Sequence, residues 1–285
     1  QGITGLGSVH YNLIEPALIE AALQRGAIAV AWEPAPGVAA PLLPVPAIAV
    51  PNLSRLAGEI AARWYRQPSA ALYTAGITGT DGKTSTAHLI AEALDHLGSP
   101  CAYFGTLGYG RLGRLADASH TTPDPVRLQA LLADSRDAGA VACAMEVSSH
   151  ALDQARVAGI EFDVAVLTNV GRDHLDYHGT VEHYAAAKRR LFALDGLQAA
   201  VLNRDDATAA AWAAKLDDKV KRRFYKNWVN AKKKAFSKYA DKYKHDAKDK
   251  KSVHRDLERV KKYATVVRVL VATQVHKLKL RQQKA

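Results

Sequence analysis

The chain has 285 residues, of which 48% are hydrophobic and 24% are charged, as in a soluble globular protein. Its two cysteines are too few for a disulfide framework and fit a reducing cytosol, so we predict a cytoplasmic protein. The most apolar stretch, residues 27–50, is broken by Glu33 and five prolines. This excludes a membrane helix, which needs roughly 20 uninterrupted apolar residues.

Charge divides the chain into two unequal parts. Residues 217–285 contain 23 Lys and Arg against 7 Asp and Glu, a net charge of +16, whereas residues 1–216 contain 16 against 21, a net charge of −5. This contrast indicates two segments of different purpose, although a solvated basic helix would give the same charge. The chain opens Gln-Gly-Ile-Thr without Met or a basic n-region, so we expect no signal peptide and a natural N-terminus further upstream.

The first 68 residues predict a small α/β unit. Glu15–Arg25 has helical spacing, Ala27–Ala31 is a short apolar run, and Ser54–Tyr65 has helical spacing after a Pro-rich loop. We place a domain boundary at Gln67–Ser69.

From residue 69 to residue 216, apolar runs alternate with amphipathic segments. The predicted strands are Ala71–Ile77, Val141–Val147, Val164–Asn169 and Ala199–Asn203, and the predicted helices are Thr84–Leu97, Thr180–Leu194 and Ala207–Lys215. This alternation predicts an α/β domain with a mostly parallel sheet flanked by helices. Residues 217–285 predict a basic helical tail that ends in the strand Ala264–Ala272.

The strongest chemical signal is a glycine-rich turn, Gly-Ile-Thr-Gly-Thr-Asp-Gly-Lys-Thr-Ser, at residues 76–85. Between a strand and a helix, such a turn points backbone N–H groups at phosphate oxygens. Lys83 would bind the β- and γ-phosphates of ATP, and Thr84 would bind Mg²⁺. The alternative is a turn that only caps a helix. The predicted nucleotide-binding residues are Gly79, Thr80, Asp81, Gly82, Lys83, Thr84 and Ser85.

Two further segments carry polar residues behind apolar runs. Glu146 follows a predicted strand, where ligands of open α/β sheets bind, and it is either a Mg²⁺ ligand or an ordinary surface residue. Asp173, His174, Asp176 and His178 form either a metal site or a polar loop.

The pattern Thr-Gly-Thr-x-Gly-Lys-Thr at residues 78–84 resembles that of the Mur ligases and their folate-polyglutamate relatives, which usually carry Asn where this chain has Asp81. Residues 144–152 and 168–176 share the resemblance. It implies that Glu146 binds one Mg²⁺ and that His174 binds a second. It also implies that Lys188 is carbamylated and helps to hold the second Mg²⁺. Without the resemblance, Lys188 would be interpreted as a solvated helix residue. The neighbouring Arg189 and Arg190 leave open which basic side chain points inward.

Residues 121–125 and 148–156 resemble the MurE type of this family, and residues 1–66 resemble its uridine-binding N-terminal domain without the opening Asp-Ser-Arg segment. The resemblance implies contacts to UDP-N-acetylmuramoyl-dipeptide. Residues 121–125 are otherwise a turn before a helix. The implied substrate-binding residues are Thr121, Thr122, Ser148, Gln154 and Arg156.

The implied reaction forms an amide in two steps. ATP phosphorylates the dipeptide carboxylate, and the amine of a diamino acid then displaces phosphate from the acyl phosphate. The Asp-Asn-Pro-Arg-like motif that selects the amino acid in this family is not found in the chain. We therefore expect the chain to bind nucleotide but to ligate poorly or not at all.

Residues 218–239 and 261–285 resemble an internal fragment of the eukaryotic ribosomal large-subunit protein three. We interpret the junction near residue 216 as an artificial or mis-assembled fusion. The alternative function is therefore ribosomal RNA binding through residues 217–285, where Lys and Arg neutralise phosphates and Phe224, Tyr225 and Trp228 stack or pack between them. Those aromatics could equally form the buried stripe of a helix pair.

Overall fold

The computed structural model describes residues 16–36, 40–216 and 220–225. The first part of the chain contains a helix, a two-stranded parallel sheet and two further helices: α1 (Pro16–Gln24), β1 (Val30–Trp32), β2 (Ala47–Ala49), α2 (Leu53–Trp64) and α3 (Pro68–Ala71). No helix in these ranges is long and apolar enough to cross a membrane.

The second part alternates strands with helices. Its elements are β3 (Tyr73–Thr78), α4 (Lys83–His96), β4 (Cys101–Gly105), β5 (Gly108–Arg111), β6 (Arg114–Ala116), α5 (Pro125–Asp137), β7 (Ala142–Glu146), α6 (Ser149–Asp153), β8 (Val164–Leu167), α7 (Leu175–His178), α8 (Val181–Arg189), a 3₁₀ turn (Arg190–Ala193), β9 (Ala199–Asn203), α9 (Ala207–Ala213) and β10 (Lys221–Tyr225).

Eight strands form one sheet in the order β10-β9-β8-β3-β7-β4-β5-β6. The strands from β10 to β4 are parallel, and β5 and β6 complete one edge as an antiparallel pair. Strand β3 lies between β8 and β7, and the strands that follow it in the chain lie on both sides of it. The carboxyl end of β3 is therefore the switch point at which open α/β sheets bind ligands.

Helices cover both faces of the sheet, which explains why the inner strands are apolar along their whole length. Side chains of β7 alternate between two buried clusters: Ala142 and Ala144 join the cluster under α4, whereas Cys143 and Met145 join the cluster under α5. Every residue of β3, β7, β8 and β9 is buried. This rigid core holds the carboxyl ends of the strands in fixed positions.

The structure confirms the predicted α/β class and most of the predicted inner elements. Strand β9 has the predicted bounds, and β3, α4, β7 and β8 differ from them by a few residues at their ends. The predicted helix over residues 180–194 is α8 followed by the 3₁₀ turn. Strands β4–β6 were not predicted, and helix α5 was indicated only by the alternative interpretation of residues 121–125 as a turn before a helix. The helical interpretation of the basic tail is wrong at residues 221–225, which form strand β10. The predicted strand Ala264–Ala272 lies outside the described residues.

Helix α2 packs directly on the second part of the chain. A Cβ added at Gly58 would lie 2.4 Å from the carbonyl oxygen of Ala158, so the backbones approach as closely as glycine allows. Arg136 of α5 donates to the backbone oxygen of Tyr65 at 3.0 Å. The helix before the predicted boundary at residues 67–69 is thus docked on the larger sheet domain.

Candidate nucleotide-binding site

The loop between β3 and α4 lies at the switch point of the sheet. Gly79 and Gly82 have φ values of 148° and 79°, which favour glycine. A Cβ on Gly79 would lie 1.8 Å from the Thr168 hydroxyl oxygen at the end of β8, so no side chain fits there. The first backbone N–H groups of α4, from Lys83 to Ser85, lack partners within the helix and carry its positive end. The loop therefore provides an anion-binding concavity.

Two lysine side chains converge on the same carbonyl oxygen of this loop. Lys83 Nζ donates to the oxygens of Gly79 and Thr80, both at 2.9 Å, and Lys188 Nζ donates to the Gly79 oxygen at 2.8 Å. Burial lowers the pKa of Lys83, although the carboxylates of Glu146 and Asp173 oppose the shift. The ammonium of Lys83 makes the loop attractive to phosphate.

The structure also settles which basic residue of α8 points inward. Lys188 is 1% exposed and its Nζ lies 4.3 Å from the centre of the Tyr184 ring, whereas Arg189 and Arg190 are exposed. Burial, followed by the nearby charge of Lys83, lowers the pKa of Lys188 to about 7, with Asp173 opposing the shift. A large fraction of this amine is therefore neutral at neutral pH.

Glu146 ends β7 as a fully buried carboxylate beside the loop. Its Oε2 accepts a hydrogen bond from the Thr84 hydroxyl at 2.9 Å. Its Oε1 accepts from the Tyr103 hydroxyl at 2.6 Å and from the Thr106 N–H at 2.9 Å. The alternative of an ordinary surface residue is wrong, because Glu146 is 0% exposed. Burying a carboxylate is costly unless a specific set of donors or a cation compensates for it.

This donor set fits a hard cation such as Mg²⁺. The Thr84 hydroxyl and Glu146 Oε2 are adjacent oxygen ligands of the kind that Mg²⁺ prefers together with phosphate oxygens. Among the described residues, the Glu146 carboxylate has no salt bridge to Lys, Arg or His. A buried carboxylate without a direct cationic partner, placed beside a phosphate loop, is compatible with a metal ion at that point.

The predicted cluster at residues 173–178 is spread over two environments. His174 is half-exposed, and its ring lies 4.7 Å from that of His150 and 6.3 Å from that of Tyr184. His178 is buried, with a ring nitrogen 3.0 Å from the Ser149 hydroxyl. Within residues 16–36, 40–216 and 220–225, no group of three or more His, Cys, Asp or Glu is arranged to hold a metal ion. The ring of Tyr184 lies between His174 and the Nζ of Lys188.

The predicted substrate residues lie together beside Glu146. Thr122 is buried and donates to the backbone oxygen of Glu146 at 2.9 Å. Arg156 donates to the side-chain oxygen of Gln154 at 2.9 Å and to the Thr122 oxygen at 3.0 Å. Ser148 caps α6 by accepting from the Ala151 N–H at 3.1 Å.

Part of this cluster also serves the fold. The Thr121 hydroxyl lies 3.2 Å from that of Thr106. Residues 121–125 also lead into a helix, as the alternative interpretation predicts, because Asp124 caps α5. The hydroxyls of Thr122 and Ser148 form hydrogen bonds within the protein. The Gln154 amide donates to the Tyr177 hydroxyl at 3.3 Å, and the charge of Arg156 acts on His150.

Several residues of the site were missed by sequence reasoning. Asn169 clamps the loop: its side-chain oxygen accepts from the Asp81 N–H at 3.1 Å and its amide donates to the Asp81 oxygen at 3.0 Å. The Thr80 hydroxyl lies 3.1 Å from that of Tyr184. Tyr103 and Thr106 hold Glu146. The polar residue Asn169 at the end of the predicted strand Val164–Asn169 was the signal that could have found it.

Comparison with known proteins identifies the family. The protein-family model of the Mur ligase middle domain matches residues 77–271, more than half of the chain. The chain belongs to the Mur ligase family. This confirms the resemblance carried by residues 78–84, 144–152 and 168–176.

Similar proteins of known sequence are longer than this chain. The UDP-N-acetylmuramoyl-L-alanyl-D-glutamate–2,6-diaminopimelate ligase of Pseudomonas syringae pv. tomato is 54% identical over 190 residues, which cover 67% of this chain and 39% of that ligase. The ligase of the same name from Coxiella burnetii is 56% identical over 163 residues, which cover 57% of this chain and 33% of that ligase. The chain thus spans about two fifths of the length of the curated relatives it matches.

Solved structures agree with the fold. A UDP-N-acetylmuramoyl-L-alanyl-D-glutamate–2,6-diaminopimelate ligase superposes with a TM-score of 0.64 at 39% identity, over 75% of this chain and 43% of that chain. The MurF ligase of Thermotoga maritima, solved with ADP, gives a TM-score of 0.50 at 19% identity, over 74% of this chain and 44% of that chain. The second likeness is one of fold alone.

The ribosomal resemblance of residues 217–285 finds no support in these comparisons. The Mur ligase match continues to residue 271 and so runs across the proposed junction near residue 216. Strand β10 also pairs with β9 in parallel register, from Lys221 with Ala199 to Tyr225 with Asn203. At least the first residues after the junction therefore belong to the same sheet as the Mur ligase domain.

Asp81 provides a test of the loop's electrostatics. Its side chain is exposed at the phosphate loop, and its charge acts on both Lys83 and Tyr184. We expect Asp81→Asn to bind Mg·ATP about threefold more tightly, because a carboxylate near the phosphates repels them. Calorimetric titration at two salt concentrations checks this, and the gain should shrink at high salt. Equal affinities at low salt would show that Asp81 does not act on the bound phosphates.

Proposed function

We propose that the chain carries the ATP site of an ATP-dependent amide ligase of peptidoglycan precursor synthesis, acting in the cytoplasm. The observation that carries this proposal is the meeting of Lys83, Lys188 and the Thr84–Glu146 pair at the carboxyl end of β3. The proposed substrates are ATP, UDP-N-acetylmuramoyl-L-alanyl-D-glutamate and a diamino acid. The names of the relatives support 2,6-diaminopimelate as that diamino acid.

The chain's own residues would serve phosphoryl transfer by position and charge. The N–H groups at the start of α4 and the ammonium of Lys83 would bind the β- and γ-phosphates and offset the charge that develops during transfer. Thr84 and Glu146 would hold one Mg²⁺, and His174 with a carbamylated Lys188 would hold a second. When bound, Mg²⁺ neutralises the phosphate oxygens and so favours attack by an anionic carboxylate.

The substrate carboxylate would enter from the side of Thr121, Gln154 and Arg156. One of its oxygens attacks the γ-phosphorus, the bond between that phosphorus and the β–γ bridging oxygen breaks, and ADP leaves. The amine then attacks the acyl carbon, loses a proton, and inorganic phosphate departs with the carboxylate oxygen. No protein nucleophile is needed, so the site works by orientation and electrostatic stabilisation.

The environment of Lys188 supports its carbamylation. A carbamate forms when a neutral amine attacks CO₂ and loses a proton, so the reaction needs the unprotonated lysine. Because the pKa of Lys188 is lowered to about 7, mainly by burial, the neutral form is abundant just above pH 7 and declines below it. The buried amine next to the phosphate loop would thereby become an oxygen ligand suited to Mg²⁺.

We expect a carbamate carbon signal in NMR spectra of the full chain with ¹³C-labelled bicarbonate. At constant dissolved CO₂, the signal should grow as the pH rises through 7 and should be absent from Lys188→Met. Lys215→Met, which removes an exposed lysine, serves as the control and should keep the signal. A signal that survives Lys188→Met would assign the carbamate to another lysine.

The proposed function is tested by the first half-reaction, which needs ATP and the dipeptide substrate but no amino acid. With Mg·ATP, UDP-N-acetylmuramoyl-L-alanyl-D-glutamate and hydroxylamine, we expect ADP release and a hydroxamate formed by trapping of the acyl phosphate. Both products should require the dipeptide substrate, and both should be lost in Lys83→Met. ADP release that ignores the dipeptide substrate would indicate a simple ATPase instead.

A further inference from the structure

Tyr103 places a phenol in the interior of the sheet, in strand β4. The residue is 0% exposed, and a buried tyrosine hydroxyl needs a hydrogen-bond partner. Its partner is Glu146 Oε1 on the neighbouring strand β7, at 2.6 Å. On α4, the ring of His88 meets the Tyr103 ring edge to face, with centroids 6.1 Å apart. The phenol is thus fixed by packing and aimed at the carboxylate.

The two oxygens of Glu146 consequently have different surroundings. Oε1 receives the Tyr103 hydroxyl at 2.6 Å and the Thr106 N–H at 2.9 Å, distances typical of strong bonds to a charged acceptor. Oε2 receives the Thr84 hydroxyl at 2.9 Å and only a long contact of 3.5 Å from the Thr106 hydroxyl. Oε1 is therefore tied to β4 and the loop after it, while Oε2 faces the phosphate loop.

Gly105 makes this hydrogen bond sterically possible. A Cβ at this position would lie 2.1 Å from Glu146 Oε1 and 2.5 Å from the Tyr103 hydroxyl oxygen. Any side chain there would push the phenol and the carboxylate apart. The chain therefore combines a buried phenol, a carboxylate and a glycine that leaves the space between them open.

We propose that Tyr103 is a positioning residue that orients Glu146 so that Oε2, beside the Thr84 hydroxyl, binds the Mg²⁺ of Mg·ATP. This inference rests on the proposed function, because it assumes a Mg·ATP site at the loop. Hydrogen bonds from outer residues orient carboxylate ligands and raise metal affinity, and their loss typically costs 10- to 100-fold. Tyr103 would not touch the metal or the nucleotide itself.

The test is Tyr103→Phe in the full chain, which removes one hydroxyl and retains the packed ring. We expect the Mg²⁺ concentration for half-maximal ATP binding to rise about tenfold. We also expect the affinity for ATP at saturating Mg²⁺ and the Tm without ligand to stay close to those of the wild type. Mere structural damage would lower these last two quantities as well, so the separation of the two effects identifies positioning.

Tyr109→Phe is the matched control, because Tyr109 is another buried tyrosine of this sheet whose hydroxyl contacts the backbone of His120 instead. Its Mg²⁺ requirement should equal that of the wild type. Gly105→Ala is a second variant that should raise the Mg²⁺ requirement by displacing Glu146, and it decides the matter if Tyr103→Phe folds poorly. A wild-type Mg²⁺ requirement in Tyr103→Phe overturns the positioning role alone. Absence of Mg²⁺-dependent ATP binding in the wild type overturns the proposed function and the positioning role with it.

Discussion

Lys83→Met should weaken the binding of Mg·ATP by at least about 100-fold, which corresponds to roughly 2.7 kcal/mol. The ammonium lies at the centre of the phosphate loop, on the oxygens of Gly79 and Thr80, and a neutral thioether cannot neutralise phosphate. Without nucleotide, the variant should unfold at the wild-type temperature or above it. The reason is that burial already disfavours the charged form, as the lowered pKa of Lys83 shows.

Lys215→Met is the control for loss of one positive charge, since Lys215 is exposed and lies near the end of α9. Its affinity for Mg·ATP should remain at the wild-type value in a calorimetric titration. If Lys83→Met bound Mg·ATP within a factor of about three of the wild type, the loop would not be the phosphate site. A large drop in Tm would instead indicate that Lys83 mainly holds the loop together.

Glu146→Gln should abolish the magnesium dependence of nucleotide binding while leaving the chain folded. The amide can keep an oxygen toward Tyr103 and Thr106, but it lacks the charge that a divalent cation requires. In the wild type, Mg·ATP at about 100 times its Kd should add roughly 2.7 kcal/mol of stability. In the variant, ATP with Mg²⁺ should stabilise the chain no more than ATP with a chelator does.

Thermal unfolding with ATP, in Mg²⁺ and in EDTA, measures this difference. Glu92→Gln is the matched control, because Glu92 is an exposed carboxylate on α4 and should keep the full effect of Mg²⁺. An undiminished effect of Mg²⁺ in Glu146→Gln would place the metal elsewhere.

The inner sheet was predictable because its strands are short apolar runs that need burial on both faces. The runs at residues 141–147 and 199–203 correspond closely to β7 and β9. The antiparallel edge was not predictable in the same way, because β5 and β6 are short and partly exposed and carry two arginines and two glycines. Helix α5 begins with the capping pair Asp124–Pro125, in line with the alternative interpretation of residues 121–125 as a turn before a helix.

The site was predictable where one residue type carries the chemistry, as at Lys83, Thr84 and Glu146. The candidate site was less predictable where tertiary packing decides which side chains reach it. The buried side of α8 and its 3₁₀ extension follows the helical spacing of Tyr184, Ala187, Lys188 and Leu191, and this spacing could have placed the lysine inside without any resemblance. The role of Tyr103 was not predictable from the sequence, because it depends on a hydrogen bond to Glu146, 43 positions later in the chain.

The basic composition after residue 216 led the sequence analysis toward a foreign, helical segment. Residues 221–225 instead form strand β10, which pairs in parallel with β9. Charge alone could not distinguish a strand from a helix.

The most direct test of the account is a calorimetric titration of the full, unmodified chain with ATP, first in Mg²⁺ and then in EDTA. We predict a single saturable site in Mg²⁺, with binding that is greatly weakened when the metal is chelated. This result would follow from a phosphate loop that shares its cation with Thr84 and Glu146. Binding of equal strength in both buffers, or no binding in either, would contradict the assignment of this site to Mg·ATP.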